Sequence, residues 1–599
     1  MDNQLIQNNR KLRIGFFFFV FFISQWLHSQ VRPAHIFDSN MVLQRDKQVR
    51  IWGWASPEEN VKIEFGGKAY SCAANPQGEW SVYLDPMTAN DQPQTMKITG
   101  EKNSVEFSNI LIGDVWILGG QSNMEFDLAR IFHGDAEVLS ANFPCIRLMT
   151  IPSSADQAPK KDFERINEYD SWLDRYDKKG YWFICSPSTV STFSGLGYIF
   201  GRRIHLITRV PVGLIDLSLG GTTLEAWLSP ATLAQMDENA QLLKLWNDKA
   251  AAFDPVEDLK MKIRNWEKNN ALRKEQGLDM LPKPVEPSVN PALDRNFPGS
   301  SYTGMVAVIA GLTVKGIVFH QGYNNALRDS RPKLYALNFK ALIKDWRSTF
   351  NDENLPFGII ELSAGGEPQT SENFEVRMLD PAPFIREGQF QAFIKVPNTG
   401  FVCTYDQQVN WYHPQKKVEA GERMARWALS TQYGFDLAWK PAICVGVERQ
   451  KDRIIITFDT EVKSSDDRPL DGFAMAGSDR RFFPAKADWL KVADDKGKPV
   501  YNKKKIEIWN NLVADPVEVR YAWARNPLGN LVNSDARIIP VAPFRTDNWD
   551  YPEAPYSFEE LDEHWKMIRS MQQRAQEIAG LRIIEEAKQA LKKLQVKDE

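Results

Sequence analysis

Gly113-Asp114-Val115-Trp116-Ile117-Leu118-Gly119-Gly120-Gln121-Ser122-Asn123-Met124-Glu125 is the stretch on which the reading of this chain turns. Val115 to Leu118 is a continuous apolar run, the pattern of a short buried strand; two glycines break it, and Asn123 to Arg130 can open a helix. Ser122 then sits in a tight strand-to-helix turn, its hydroxyl accessible and backbone N–H groups close by. A serine hydroxyl is a weak nucleophile alone, so this reading requires a base and oxyanion donors further along. The plainer account is an ordinary βα turn whose serine caps a helix. The G-x-S-x-G elbow of lipases is not met, because Met124 occupies the second glycine position.

A chain of 599 residues holds several domains and more than one core. Its 43% apolar and 25% charged residues are ordinary for globular protein, and a net charge of −4 without a basic stripe argues against nucleic-acid binding. Nineteen tryptophans and 34 phenylalanines are many; some belong to the core, and exposed rings would suit stacking on sugar faces. Five scattered cysteines (Cys72, Cys145, Cys185, Cys403, Cys444) dictate no disulfide framework, and no His/Cys cluster has ligand spacing, so no metal or cofactor is expected. Gly195-Leu196-Gly197-Tyr198-Ile199-Phe200-Gly201 is better explained by helix packing than as a dinucleotide fingerprint, since no strand leads into it.

The organisation follows from the periodicities. Residues 1–30 read as a signal peptide: Arg10, Lys11 and Arg13 precede the apolar run Ile14 to Ile23, which implies an exported protein, periplasmic or secreted. Residues 31–109 alternate as short strands and suggest a β-sandwich. Residues 110–434 alternate strands (Val212–Ser218, Val314–Phe319) with helices (Gly195–Ile207, Leu334–Thr349), the pattern of an α/β unit with a largely parallel sheet. Within it, 231–297 is a helical insertion, read as a lid or side wall. Residues 435–545 return to β patterning as a second β module. In the tail, 546–599, the residues Leu561, Trp565, Ile568, Met571, Ala575 and Ile578 form one apolar stripe at helical spacing. That stripe packs on the body or on a partner helix, which makes self-association through the tail one expectation.

Ser122 needs a base, and His413 is the best candidate: Pro414 holds it in the loop before a helical run, late in the α/β unit. His320 is the competitor. Leu219-Gly220-Gly221-Thr222 follows one buried strand and offers unobstructed backbone N–H groups; His320-Gln321-Gly322-Tyr323-Asn324-Asn325 follows another and offers side-chain amides. In the order Ser, Gly, amide, His they form an acyl-transfer set.

The wording of these blocks resembles the sialate O-acetylesterase family of the SGNH (GDSL-type) hydrolases. The likeness is carried by Gly113–Met124, by Gly220-Gly221-Thr222 with Glu225-Ala226-Trp227, by His320–Asn325 and by His413-Pro414. It extends to Phe37–Arg45 and Ile51–Ala55 at one end and to Gly472–Asp479 with Phe482–Ala485 at the other, covering 31–545. The resemblance implies an SGNH-like three-layer α/β unit flanked by two β-sandwich modules. It implies Ser122 as nucleophile and His413 as general base. The Ser122 N–H, Gly220 or Gly221, and an amide from either Gln321 or Asn324 would make the oxyanion hole. The family's glutamate is Tyr323 here, and the aspartate three residues before the histidine is Asn410, so Asp406, seven residues upstream, is the alternative carboxylate. The expected activity is removal of acetyl groups from a carbohydrate, with 9-O-acetylated sialic acid and acetylated plant glycans both open. The rival reading is a catalytically weak glycan-binding protein that keeps the pocket; a glycosidase is a third, for which no paired carboxylates present themselves.

Overall fold

The computed structural model describes residues 30–170, 175–327 and 329–595; the signal-peptide reading falls on 1–29 and lies outside them. The molecule is mixed α/β. Its axis is β1 (Ser104–Gly120), the centre of a six-stranded parallel sheet with β2 (Phe143–Thr150), β3 (Val212–Ser218), β4 (Gly316–His320), β5 (Phe357–Ile360) and β6 (Thr399–Val402). Across the sheet the order is β2-β3-β1-β4-β5-β6, with Phe183–Cys185 antiparallel on the β2 edge. The chain builds one side of β1 first and then crosses to the other at β4. The carboxyl ends of β1, β3 and β4 therefore flank a switch point, where open α/β sheets form their crevices.

Both faces of the sheet are covered. Val115 and Ile117 of β1 join one core with Leu342, Ile343 and Trp346 of α2 (Pro332–Thr349) and Ile385 of α3 (Ala382–Lys395). Trp116 and Leu118 point the other way, to Leu196 and Phe200 of α1 (Gly195–Thr208) and to Met424 and Trp427 of α4 (Lys417–Tyr433). The 195–201 glycines do pack: a Cβ on Gly197 would stand 2.1 Å from Leu118 Cδ1, so glycine lets this helix lie close on the sheet.

The glycines after Leu118 do not end β1. Gly120 has φ +134° and pairs with His320, whose carbonyl oxygen would lie 2.1 Å from a Cβ, so glycine carries the strand two residues further against β4. Nor is there a long helix from Asn123 to Arg130. One turn, Ser122–Glu125, is followed by a 3₁₀ turn at Leu128–Arg130.

The boundary expected at 109/110 falls inside β1. Its first half pairs antiparallel with Asn90–Thr99, which pairs with Asn60–Phe65, while Arg32–Pro33, Val49–Trp54 and Glu79–Leu84 form a separate three-stranded sheet. Asp114 fastens this region to the α/β unit: its carboxylate accepts hydrogen bonds from Gln44, Arg45 and the Tyr433 hydroxyl. Beyond α4, two four-stranded antiparallel sheets and one of three strands are built around Arg453–Phe458, Phe473–Ala476 and Leu531–Asn533.

The tail is α5 (Phe558–Gln595). Its apolar stripe lies against the body: Ile568, Ala575 and Ala579 are buried, and the buried Arg582 pairs with Glu375 at 2.6 Å. Of the expected stripe, Ile568 and Ala575 are covered by the body, while Leu561, Trp565, Met571 and Ile578 are half-buried. All five cysteines are free thiols.

Candidate active site

The loops after β1, β3 and β4, together with the loop before α4, converge on a cavity of about 620 Å³. Ser122, Gly220, Gly221, Asn324 and His413 all line it, brought together from positions spread over nearly 300 residues. Ser122 is the first residue of its helical turn, so its N–H has no intrahelical acceptor. The glycine loop lies directly against it; a Cβ on Gly220 would be 3.2 Å from Ser122 Cβ.

The donors divide into engaged and available. Gly220 N–H donates to the Glu125 carboxylate at 2.7 Å. Gln321 is buried and absent from the cavity lining. Its amide donates to Gln121 Oε1 (3.2 Å), the Thr222 carbonyl (3.1 Å) and Asn325 Oδ1 (2.8 Å), which is structural work. Asn324 does face the cavity. Its Nδ2 donates to the Gly221 carbonyl at 2.6 Å and keeps a second hydrogen. Gln121, the residue before the serine, holds this loop in place: its Oε1 also accepts the backbone N–H groups of Gly322 and Asn324.

His413 packs its ring at 5.5 Å from Phe126 and 4.4 Å from Tyr412. Burial, reinforced by the charges of Lys417 and Arg130, pushes its imidazole down to about 4, so the ring is neutral near pH 7. Lys417 is itself buried, donates to Asn123 Oδ1 at 2.6 Å, and is pushed down to about 7 by burial. The competitor His320 lies outside the cavity, its nitrogens against the Ile360 carbonyl and Ser363 Oγ.

Asp406 receives Arg423 through both oxygens, Oδ1 at 2.8 Å and Oδ2 at 2.5 Å, and Asn410 is exposed; neither lines the cavity. The acidic groups that do line it are Glu125, Asp127, Glu168 and Asp177. Asp127 pairs with Arg130 at 2.9 Å. Glu125 is raised by burial, against the pull of Lys179, the Gly220 N–H, Arg295 and Arg130.

Glu125 lies within the serine motif, where no sequence pattern gives it a role. Lys417 reads in sequence as one more helix-start lysine, and Lys179 and Tyr169 come from a hairpin, Ile166–Asp170 with Arg175–Lys179, that lacks any motif. Tyr323, where the family has glutamate, lies 6.1 Å from Tyr412 ring to ring, with the Arg525 guanidinium 5.1 Å from its centroid. The cavity rim is consequently aromatic, which suits a sugar face.

Residues 295–430 match the model of a carbohydrate esterase family described as sialic acid-specific acetylesterase; the match takes in Asn324 and His413 and begins after Ser122. The chain is similar to the sialate O-acetylesterase of Mus musculus, 24% identical over 546 residues, which are 86% of this chain and 94% of the relative. It is also similar to that of Homo sapiens, 25% identical over 432 residues, 67% of this chain and 71% of the relative. Among solved structures, a carbohydrate acetylesterase from Xanthomonas citri superposes with a TM-score of 0.68 at 26% identity, over 87% of this chain and all of that one.

Proposed function

We propose that this chain, akin to the sialate O-acetylesterases along most of its length, is a carbohydrate O-acetylesterase that works through a serine acyl-enzyme. The observation that carries the reading is the convergence of Ser122, Gly221, Asn324 and His413 on one cavity. Each comes from a different loop of an SGNH-like three-layer unit, and no feature of folding alone requires a serine, a neutral histidine and spare N–H donors to meet there.

In this mechanism His413 takes the Ser122 proton as Oγ attacks the acetyl carbonyl carbon. The oxygen of the tetrahedral intermediate is held by the N–H groups of Ser122 and Gly221 and by the second Nδ2 hydrogen of Asn324, since Gly220 already serves Glu125. Collapse expels the sugar alkoxide, which His413 protonates. Water, deprotonated by the same imidazole, then attacks the acetyl-serine and releases acetate. A histidine held neutral is ready as a base without losing a proton first. The basic-then-apolar run over residues 10–23 supports an exported enzyme acting on glycans outside the cytoplasm.

The test is acetate release from 9-O-acetylated sialic acids and acetylated plant polysaccharides by the full chain and by Ser122→Ala. Release by the first and loss of at least ~10³-fold in the second is expected. Equal rates, or no release by a folded wild type, would overturn the reading.

A further inference from the structure

A second cavity, of about 350 Å³, adjoins the catalytic one and shares Asn324 and Leu327 with it as a common wall. It is within the ~300–1,000 Å³ range of ligand sites. Its lining is neither a core defect nor a plain groove. The helical insertion contributes Trp246, half-buried on Ala240–Ala251, with Asn296 from the end of the insertion; the loop before α2 contributes Asp329 and Arg331. Phe297 meets Trp246 edge-on at 6.0 Å, and the Lys249 ammonium lies over one side of the indole, 5.3 Å from its ring centroid. Asn296 uses its Oδ1 to hold the Thr223 N–H at 2.7 Å, and its Nδ2 donates to none of the described residues. The Asp329 carboxylate makes no hydrogen bond or ion pair among the described residues, although its charge is felt by Lys249 and His564. The Arg331 guanidinium donates to the Asp329 and Pro555 carbonyls and keeps its Nε without an acceptor.

An aromatic ring, an amide donor, a carboxylate and a guanidinium around one space suit a pyranose. Its CH face packs on the indole, and its hydroxyls take both donors and acceptors. The position matters as much as the chemistry. Asn324 presents its amide to the catalytic cavity and forms the wall of the second, so a group seated in one is next to a group seated in the other.

We infer that the second cavity is a subsite for a neighbouring sugar residue of the same glycan, so that the substrate is an acetylated oligosaccharide or polysaccharide rather than a free monosaccharide. This rests on the esterase reading. In it the insertion 231–297 is a substrate-binding wall, with Leu561 from the first turn of α5 also lining the space.

The experiment compares kcat/KM on matched pairs carrying the same ester: 9-O-acetyl-N-acetylneuraminic acid against its sialyllactose, and acetylated xylose against acetylated xylotetraose. The full-length wild type, Trp246→Ala, Trp246→Phe and Asp329→Ala are used, with 4-nitrophenyl acetate turnover as the common reference. The wild type is expected to favour the longer member of at least one pair tenfold or more. Trp246→Ala should bring that ratio to within threefold, Trp246→Phe should restore part of it, and Asp329→Ala, exposed and safe for folding, should lower it. Equal kcat/KM for both members, or a ratio unmoved in both alanine variants, would overturn the subsite. If 4-nitrophenyl acetate is not turned over, the esterase reading has failed separately. Calorimetric titration with the deacetylated tetraose and with sialyllactose then decides the subsite alone: Trp246-dependent binding supports it, and absence of binding to either overturns it.

Discussion

The Glu125 carboxylate accepts the Gly220 N–H at 2.7 Å, three residues beyond Ser122 in the same helical turn. The nucleophile's own turn thereby fixes the glycine loop that packs against the serine, and the first glycine is taken out of the set of oxyanion donors. Motif reading treats Gly220 and Gly221 as equivalent. The geometry divides them into an anchor and a donor.

The two amides of the third block divide in the same way, which gives the first prediction. Asn324→Ala should lower kcat on 4-nitrophenyl acetate by ~10²–10³ with little change in KM, because the lost hydrogen bond is made to the developing oxyanion. Gln321→Leu should instead lower stability by about 1–3 kcal/mol, since its two amide hydrogens are shared among acceptors on Gln121, Thr222 and Asn325, the first two of them buried. Steady-state kinetics and urea unfolding on both variants separate the roles. Wild-type kcat in Asn324→Ala would remove it from the oxyanion hole.

The second prediction concerns pH. The base acts when neutral, and burial with Lys417 and Arg130 nearby pushes His413 down to about 4. The acid limb of kcat/KM should therefore fall near pH 4, well below the ~6.5 of an ordinary histidine. Lys417→Met removes one of the two cations and should move the limb upward. For stability the sign is opposite to that of a salt-bridged histidine. Between pH ~6.5 and 4 the unfolded chain binds a proton that native His413 refuses, so stability falls as pH drops through that window. A kinetic limb at 6.5, unmoved by Lys417→Met, would contradict the assignment.

The third prediction separates Asp406 from the chemistry. Asp406 is bound by the buried Arg423 through both oxygens. Asp406→Asn should cost roughly 2–3 kcal/mol, between the values for an exposed pair and a buried one. The folded fraction should keep kcat/KM within a few-fold. Asn410→Ala, at an exposed position, should change neither. A ~10⁴-fold loss in Asp406→Asn at full stability would return it to a catalytic triad.

The elements legible in the sequence are those whose pattern is local. Val212–Ser218 is a strand with the expected ends, and Gly195–Thr208 and Pro332–Thr349 are the expected helices within two residues. The serine, glycine, amide and histidine blocks were legible too, because each follows a strand and the parallel topology gathers strand ends. What stayed hidden depends on contacts between distant residues. Whether Gln321 or Asn324 faces the cavity is set by Gln121, 200 positions away, and Asp406 is claimed by Arg423 from a helix face. The β1 glycines illustrate the same limit: in isolation they read as a break, and only the close approach of His320 makes them strand.

The last prediction concerns the tail. Arg582 and Glu375 pair at 2.6 Å with 3% and 4% of their side chains exposed, and Arg582 also donates to the Ser371 carbonyl. Removing one member leaves the other charge buried and unpaired, a cost of about 3–5 kcal/mol. That cost falls on the docking of α5 rather than on the parallel sheet, because α5 meets the body along a single stripe through Ile568, Ala575 and Ala579. Arg582→Met should therefore leave 4-nitrophenyl acetate turnover measurable while trypsin releases the C-terminal segment at least tenfold faster than from wild type. The uncovered stripe should also make sedimentation concentration-dependent. Identical proteolysis in the two proteins would mean that the helix is held by its apolar face alone and that the buried ion pair adds little to its docking.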